Sequence, residues 1–237
     1  MDKLKNTLLT IDWDYFMTYI EQMNISYLDN KRCIDNHWYK LYLENIKDGI
    51  DITKTMKIGQ ALNGFWDNIN KVFNIDKNCK LIISDSHKIA YKIAVNMNCN
   101  EVYNFDAHTD LGYGGLISLD FEVNCANWLG RLLKDKIIKR ANIILSPYSG
   151  ESRDEFEEIN KEFNISYQGI NDISEDSIIK TIHICRSGAW TPPWLDNKFF
   201  DFINNTGMEA KYIDFEKRIW DVDSIRLADK INYLIFS

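Results

Sequence analysis

The chain is short of the residues that build several familiar kinds of protein. It has 3 prolines in 237 residues. Two of them are adjacent, Pro192 and Pro193, so there is no proline-rich linker but rather one shaped connection after Cys185. It has no internal repeat and no low-complexity segment. Lys and Arg number 28 against 35 Asp and Glu, a formal charge of −7. Without a basic stripe to follow a phosphate backbone, this composition argues against a nucleic-acid partner. An acidic surface is ordinary for a soluble protein and also suits a cationic substrate. The five cysteines, Cys33, Cys79, Cys99, Cys125 and Cys185, form no Cys-x-x-Cys pair. Neither a disulfide framework nor a zinc knot is indicated, and a reducing cytoplasm fits. No apolar run approaches the ~20 residues of a membrane span, and the run at 8–11 is too brief for a secretory leader. A cytoplasmic protein with no membrane partner is expected. What is present, 45% hydrophobic and 13% aromatic residues over 237 positions, is enough for one well-buried core and little for two. Residues 1–237 therefore read as a single domain.

Hydrophobic patterning alternates between strands and helices. Residues 7–13 are apolar and β-branched, as in a buried strand, and residues 58–73 carry helical spacing after a polar, aromatic stretch. Strands are then predicted at 80–84, 101–105, 142–145, 181–185 and near Tyr212, with helices at 88–97, 126–136, 155–163 and 194–203. This βαβα order predicts a three-layer α/β/α sandwich around a mostly parallel sheet.

Side chains that bind metals gather where these strands should stop. In Asp106-Ala-His-Thr-Asp110, three ligands stand at alternate positions, which puts them on one face if the strand continues. Open α/β folds place their ligands at this carboxyl edge. Asp12 and Asp14 stand two apart at the end of the first strand, and His87 closes the 80–84 strand. Together, Asp12, Asp14, His87, Asp106, His108 and Asp110 offer 4 carboxylates and 2 imidazoles. Four carboxylates balance two dications, and a carboxylate-rich set without thiolate suits Mn²⁺ better than zinc. Paired ions lower the pKa of a water between them to give a nucleophile near neutral pH, so hydrolysis is the expected chemistry.

Each of these residues also has an ordinary alternative. An Asp-x-Asp pair can end a strand or cap a helix, and a lone histidine often only opens a helix. Asp85 can serve as a cap or as a partner that orients a ligand. His37 lies in sequence read as irregular, as a substrate-loop group or a surface histidine. His183, inside a strand, reads as a core histidine. Trp190 and Trp194 flank the double proline and can wall a pocket, although tryptophan more often packs in a core.

The motif Asp106-Ala-His-Thr-Asp110, the upstream strand-end His87 and the separate Asp12/Asp14 pair resemble the ureohydrolase superfamily of arginases and agmatinases. Asp12-Trp-Asp-Tyr-Phe16, Ser84-Asp-Ser-His87, Phe105-Asp-Ala-His108 and Asn127-Trp128 are similar to its arginase-related branch. That branch includes the peptide arginases, which convert arginine side chains of ribosomal peptides to ornithine. The resemblance implies an arginase-like fold, two Mn²⁺ ions, an arginine-containing peptide or other guanidino substrate, and release of urea. It implies that His87, Asp106 and Asp110 hold one ion and Asp106, His108 and Asp14 the other. Asp12 would help to bridge them, Asp110 would also pass a proton, and Asp85 and Asn127 would orient ligands.

The chain departs from the arginase pattern in two ways. The aspartate pair precedes the Asp-x-His-x-Asp motif instead of following it, so the strand order must be permuted. At Cys185-Arg-Ser-Gly188, Ser187 stands where arginases carry the acid that cradles the guanidinium. Glu151 or Asp196 is then expected to serve, with Ser187 and Trp190 as further substrate contacts. Two other functions compete: a dinuclear phosphoesterase using Arg186 for phosphate, and a non-catalytic arginase-like binding module. A deacetylase on the same fold would want a paired-histidine motif, which the sequence lacks.

Overall fold

The computed structural model describes residues 6–18, 31–173 and 178–236. Its strands are β1 (Thr7–Asp12), β2 (Asn74–Ser84), β3 (Glu101–Asp106), β4 (Arg140–Leu145), β5 (Ile165–Tyr167), β6 (Ile178–Cys185) and β7 (Ala210–Tyr212). They form one seven-stranded sheet in the order β5-β4-β3-β1-β6-β2-β7. Every pairing among them is parallel. β1 and β3 are buried along their whole length, because a parallel sheet is covered on both faces.

Strand alternation divides the core in two. Leu9, Ile11, Phe105, Ile182 and Ile184 point to one face, and Leu8, Ile82, Val102 and Ile143 to the other. Over the first face lie α1 (Lys31–Lys47), α2 (Ile52–Thr55), α3 (Phe65–Val72) and α7 (Asp196–Asn204), through Trp38, Ile52, Ile69 and Phe199. Over the second lie α4 (Ile89–Asn96), α5 (Trp128–Lys134) and α6 (Glu157–Glu162), through Ile93, Leu132 and Ile159. The three-layer α/β/α sandwich is thus present. A last helix, α8 (Leu227–Phe236), rests on α1, where Tyr233 stacks on Tyr39 at 4.7 Å.

The connections explain where a site can form. Those that step toward β7 run over the first face, and those that step toward β5 run over the second. All crossovers therefore have one hand, as the rule for parallel connections requires. β1 and β3 are neighbours whose connections leave in opposite directions, β1 toward β2 and β3 toward β4. This is the topological switch point, and a crevice opens there beyond the carboxyl ends of the strands.

Three sequence expectations are corrected. The stretch holding His37 is not irregular but belongs to α1. The helix expected over 58–73 is broken: a short 3-10 turn at Gln60–Leu62 ends before Gly64, whose φ of 65° is left-handed, and α3 begins after it. Trp13 leaves the first strand and opens a 3-10 turn, Trp13–Phe16.

Candidate metal centre

All six candidate ligands come together at the switch point. Asp12 and Asp106 are the last residues of β1 and β3, and register aligns Ile11 with Phe105 just before them. Asp14 lies in the turn Trp13–Phe16, which Asp12 starts by accepting a hydrogen bond from the Asp14 backbone NH. His87 is carried in the turn that joins β2 to α4. Asp110 adopts a left-handed backbone with φ of 53°, strain of the kind that collects at functional sites. Its carbonyl accepts hydrogen bonds from the Leu129 and Gly130 backbone NH groups at the start of α5.

Distances sort these ligands into two overlapping groups that could hold a metal ion, Asp12/His87/Asp106 and Asp14/Asp106/His108. The His87 Nδ1 atom lies 3.2 Å from Asp12 Oδ2, 3.0 Å from Asp106 Oδ2 and 3.0 Å from Asp110 Oδ2. The His108 Nδ1 atom lies 3.1 Å from Asp14 Oδ2 and 3.7 Å from Asp106 Oδ1. Asp106 therefore turns one oxygen to each group. An octahedral ion with bonds of about 2.1 Å holds neighbouring ligand atoms about 3 Å apart, so the spacing around His87 Nδ1 is that of donors sharing a cation. The hydrogen-bonding pattern agrees with this. His87 Nδ1 and Asp14 Oδ2 are buried and make no hydrogen bond, which is costly for polar atoms unless an ion takes their lone pairs.

Electrostatics shows how strongly the arrangement calls for positive charge. Burial, followed by Asp12 and Asp106, pushes the Asp14 carboxyl well above its usual range. Burial and Asp106 push Asp110 up to about 7. Burial alone would lower the two imidazoles, but the facing carboxylates outweigh it and raise both His87 and His108. Burial would likewise raise Asp106, yet His108 and His87 together hold it well below the usual carboxylate range. Asp14, Asp110, His87 and His108 are thus held toward their protonated forms, and a cation bound in this cluster would displace those protons.

A surrounding shell of donors orients the ligands. The Trp128 indole Nε1 donates to Asp110 Oδ2 at 2.5 Å, and Asn104 Nδ2 donates to Asp106 Oδ2 at 3.3 Å. The Ser187 hydroxyl donates to Asp12 Oδ2 at 2.5 Å. Ser187 also sits in a left-handed conformation, φ 50°, held by the Trp190 and Thr191 backbone NH groups donating to its carbonyl. Glu151 Oε2 accepts from the Thr109 backbone NH at 2.8 Å, and its Oε1 from the Tyr113 hydroxyl. It braces the motif loop from outside. Asn127 ties the 118–124 loop through Ser118, Glu122 and Asn124, and it is the neighbouring Trp128 that touches a ligand.

The loop bearing Ser187 and Trp190 is clamped by buried charges. Arg186 Nε donates to Asp85 Oδ1 at 2.6 Å, and Nη1 donates to Asp196 Oδ2 at 3.0 Å. Asp196 also takes Arg218, whose Nη1 donates to the Gly188 and Thr191 carbonyls. Asp196 already holds two guanidinium groups of the chain itself, and Asp85 binds Arg186 and the Glu216 backbone NH instead of orienting His87.

A small cavity opens onto the centre, lined in part by Tyr113, Cys125, Ala126, Ser187 and Trp190. The Trp190 ring lies 4.7 Å from that of His108. His37 is not among the lining residues. Thr10, Asn104 and Trp128 act on the ligands without having been singled out as such from the sequence. Thr10 and Asn104 do carry a signal, since each stands two residues before a ligand on the same strand face. No protein-family model, curated protein or solved structure matches the chain.

Proposed function

We propose that this chain is a binuclear manganese hydrolase of guanidinium groups, a peptide arginase that converts arginine residues of a peptide to ornithine and releases urea. One observation carries the reading: Asp106 presents Oδ2 to the His87 group and Oδ1 to the His108 group, the placement of a carboxylate shared by two ions. Bound there, a pair of Mn²⁺ ions would supply a water acidic enough to act as a nucleophile near neutral pH.

The chain's own residues support a cationic substrate. Among the described residues, the cavity at the centre is lined by three aspartates and no Lys or Arg. A guanidinium stays charged at any relevant pH, and the flat face of Trp190 suits a planar cation. Asp110, fixed by Trp128, lies at the cavity wall, where it can take a proton and return it to the departing amine. Ser187 contributes by holding Asp12, and Glu151 by holding the Thr109 backbone. A phosphoesterase would need a cation for its substrate. Arg186 is committed to Asp85 and Asp196, and Lys88 in the adjoining cavity is the one observation favouring that reading.

The test is to incubate the manganese-loaded chain with free arginine, agmatine and arginine-containing peptides, assaying urea and the mass change to ornithine. Urea from peptides is expected. No urea from any of them, with phosphate released from model esters, would establish the phosphoesterase instead.

A further inference from the structure

Beneath the ligands, the second face of the sheet carries a polar layer where aliphatic side chains would ordinarily pack. Register places both Thr10 and Ile82 beside His183, and Ser84 follows Ile82 on the same face. Thr10, Ser84 and His183 are each 0% exposed. Burying polar groups so completely is costly unless every one is satisfied, and these are. Thr10 Oγ1 lies 2.8 Å from His87 Nε2 and 3.0 Å from His183 Nδ1. Ser84 Oγ lies 2.8 Å from His183 Nε2 and donates to the Ser86 carbonyl at 3.0 Å.

The direction of each bond follows from the last. A carbonyl oxygen only accepts, so the single Ser84 hydroxyl proton goes to Ser86. Ser84 Oγ must then accept from His183 Nε2–H. His183 is fully buried and its two ring nitrogens face only the Thr10 and Ser84 hydroxyls, with no carboxylate to hold a second proton, so burial keeps the imidazole neutral and its Nδ1 is a bare acceptor. The Thr10 hydroxyl proton points there, which leaves Thr10 Oγ1 to accept from His87 Nε2–H. We propose that His183 is a positioning residue: acting through Thr10, it keeps the His87 Nε2 protonated, so that Nδ1 is the nitrogen left to give its lone pair to the ion shared with Asp12, Asp106 and Asp110. The proposal rests on His87 being a metal ligand, and it assigns a task to a histidine that touches no candidate ligand oxygen. A hydroxyl alone would not suffice, because a threonine without a neighbour of fixed polarity can donate to His87 as readily as accept from it.

The tautomers can be read directly from long-range ¹H–¹⁵N spectra of the full chain, metal-free and loaded with diamagnetic Mg²⁺. His183 should be neutral, protonated at Nε2 and bare at Nδ1 in both states, with His87 protonated at Nε2 in both. His183 protonated at Nδ1 would overturn the proposal. A second arm titrates Mn²⁺ alone into two variants. Thr10→Val should weaken Mn²⁺ binding by about 10–100-fold, the usual effect of losing a partner that orients a ligand, and Thr10→Ser should restore it. A folded Thr10→Val with wild-type affinity contradicts the proposal, and if that variant fails to fold, the wild-type spectra still decide. Expected tautomers in a chain that binds no Mn²⁺ would keep the relay and sink the metal reading; Mn²⁺ binding with His183 protonated at Nδ1 would do the reverse.

Discussion

Asp106 is the residue on which the centre turns. Its charge is shared, its two oxygens face different groups, and both imidazoles lean on it. Asp106→Asn keeps the shape and removes the charge, so it should abolish Mn²⁺ binding and turnover together, as measured by metal titration and urea release. Activity surviving that change would refute the assignment. Trp128→Phe removes the donor to Asp110 together with part of a buried ring packed on His87, and should weaken Mn²⁺ binding by about 10–100-fold while the fold persists by circular dichroism. At this scale much was legible from sequence, because ligand-type residues crowded at a strand end mark a site: Asp12, Asp14, Asp106, His108 and Asp110 were all visible that way, although the strands stop at Asp12 and Asp106 and turns, not strand alternation, place the other three. What was not legible was which oxygen each hydroxyl or indole would choose. Ser187 lines the cavity, with its hydroxyl turned to Asp12, and Asp196 invites a guanidinium until two of the chain's own are found there.

Elements supply the positions that residues cannot. The carboxyl ends of β1 and β3 converge because their connections diverge, and α5 presses its first turn against the backbone of Asp110. Gly130 permits that approach: a Cβ there would stand 2.2 Å from the Leu111 carbonyl oxygen, so something must shift. Gly130→Ala should cost about 1–3 kcal/mol by urea denaturation and should also weaken metal binding, since the shift begins at Leu111, next to Asp110. Unchanged stability would mean that the helix is free to move. The regular βαβ part of the chain was readable from periodicity, but α1 was not. Its apolar positions Ile34, Trp38 and Leu41 are interleaved with His37, Tyr39 and Tyr42, and they make sense only once Trp38 is seen donating to the Gly188 carbonyl at 2.8 Å. The short edge strand β5 and the terminal α8 also escaped, the one too brief and the other lying on a helix instead of the sheet.

For the whole molecule, the buried Asp/His cluster is a stability problem that bound cations would solve. Asp14, Asp110, His87 and His108 all have raised pKa values. Without metal, the folded chain then binds more protons than the unfolded chain, and stability falls as pH rises. Asp110 contributes this loss between its ordinary value of 3.8 and about 7, and the two histidines extend it above their ordinary 6.5. Asp106 works in the opposite sense, but only below its ordinary 3.8, and buried His183, lowered by burial, opposes the trend below its ordinary 6.5, so the net fall is clearest above that pH. The chelated protein should therefore melt higher at mildly acidic than at alkaline pH, and Mn²⁺ should remove that trend by taking the place of the protons. A chelated protein that gains stability as pH rises would contradict the electrostatic account. Away from the candidate ligands, the Arg186/Asp85/Asp196/Arg218 cluster holds the loop that bears Ser187 and Trp190. Asp196→Asn leaves buried guanidinium charge unpaired and should cost about 3–5 kcal/mol in urea denaturation, and a cost near zero would show the clamp to be dispensable.

The account stands or falls on a carboxylate-bridged pair of ions. Mn²⁺ titrated into the full chain and followed by electron paramagnetic resonance should reach two ions per chain with the exchange-coupled spectrum of neighbours roughly 3.5–4 Å apart. Saturation at one ion, or two ions with independent spectra, would contradict it.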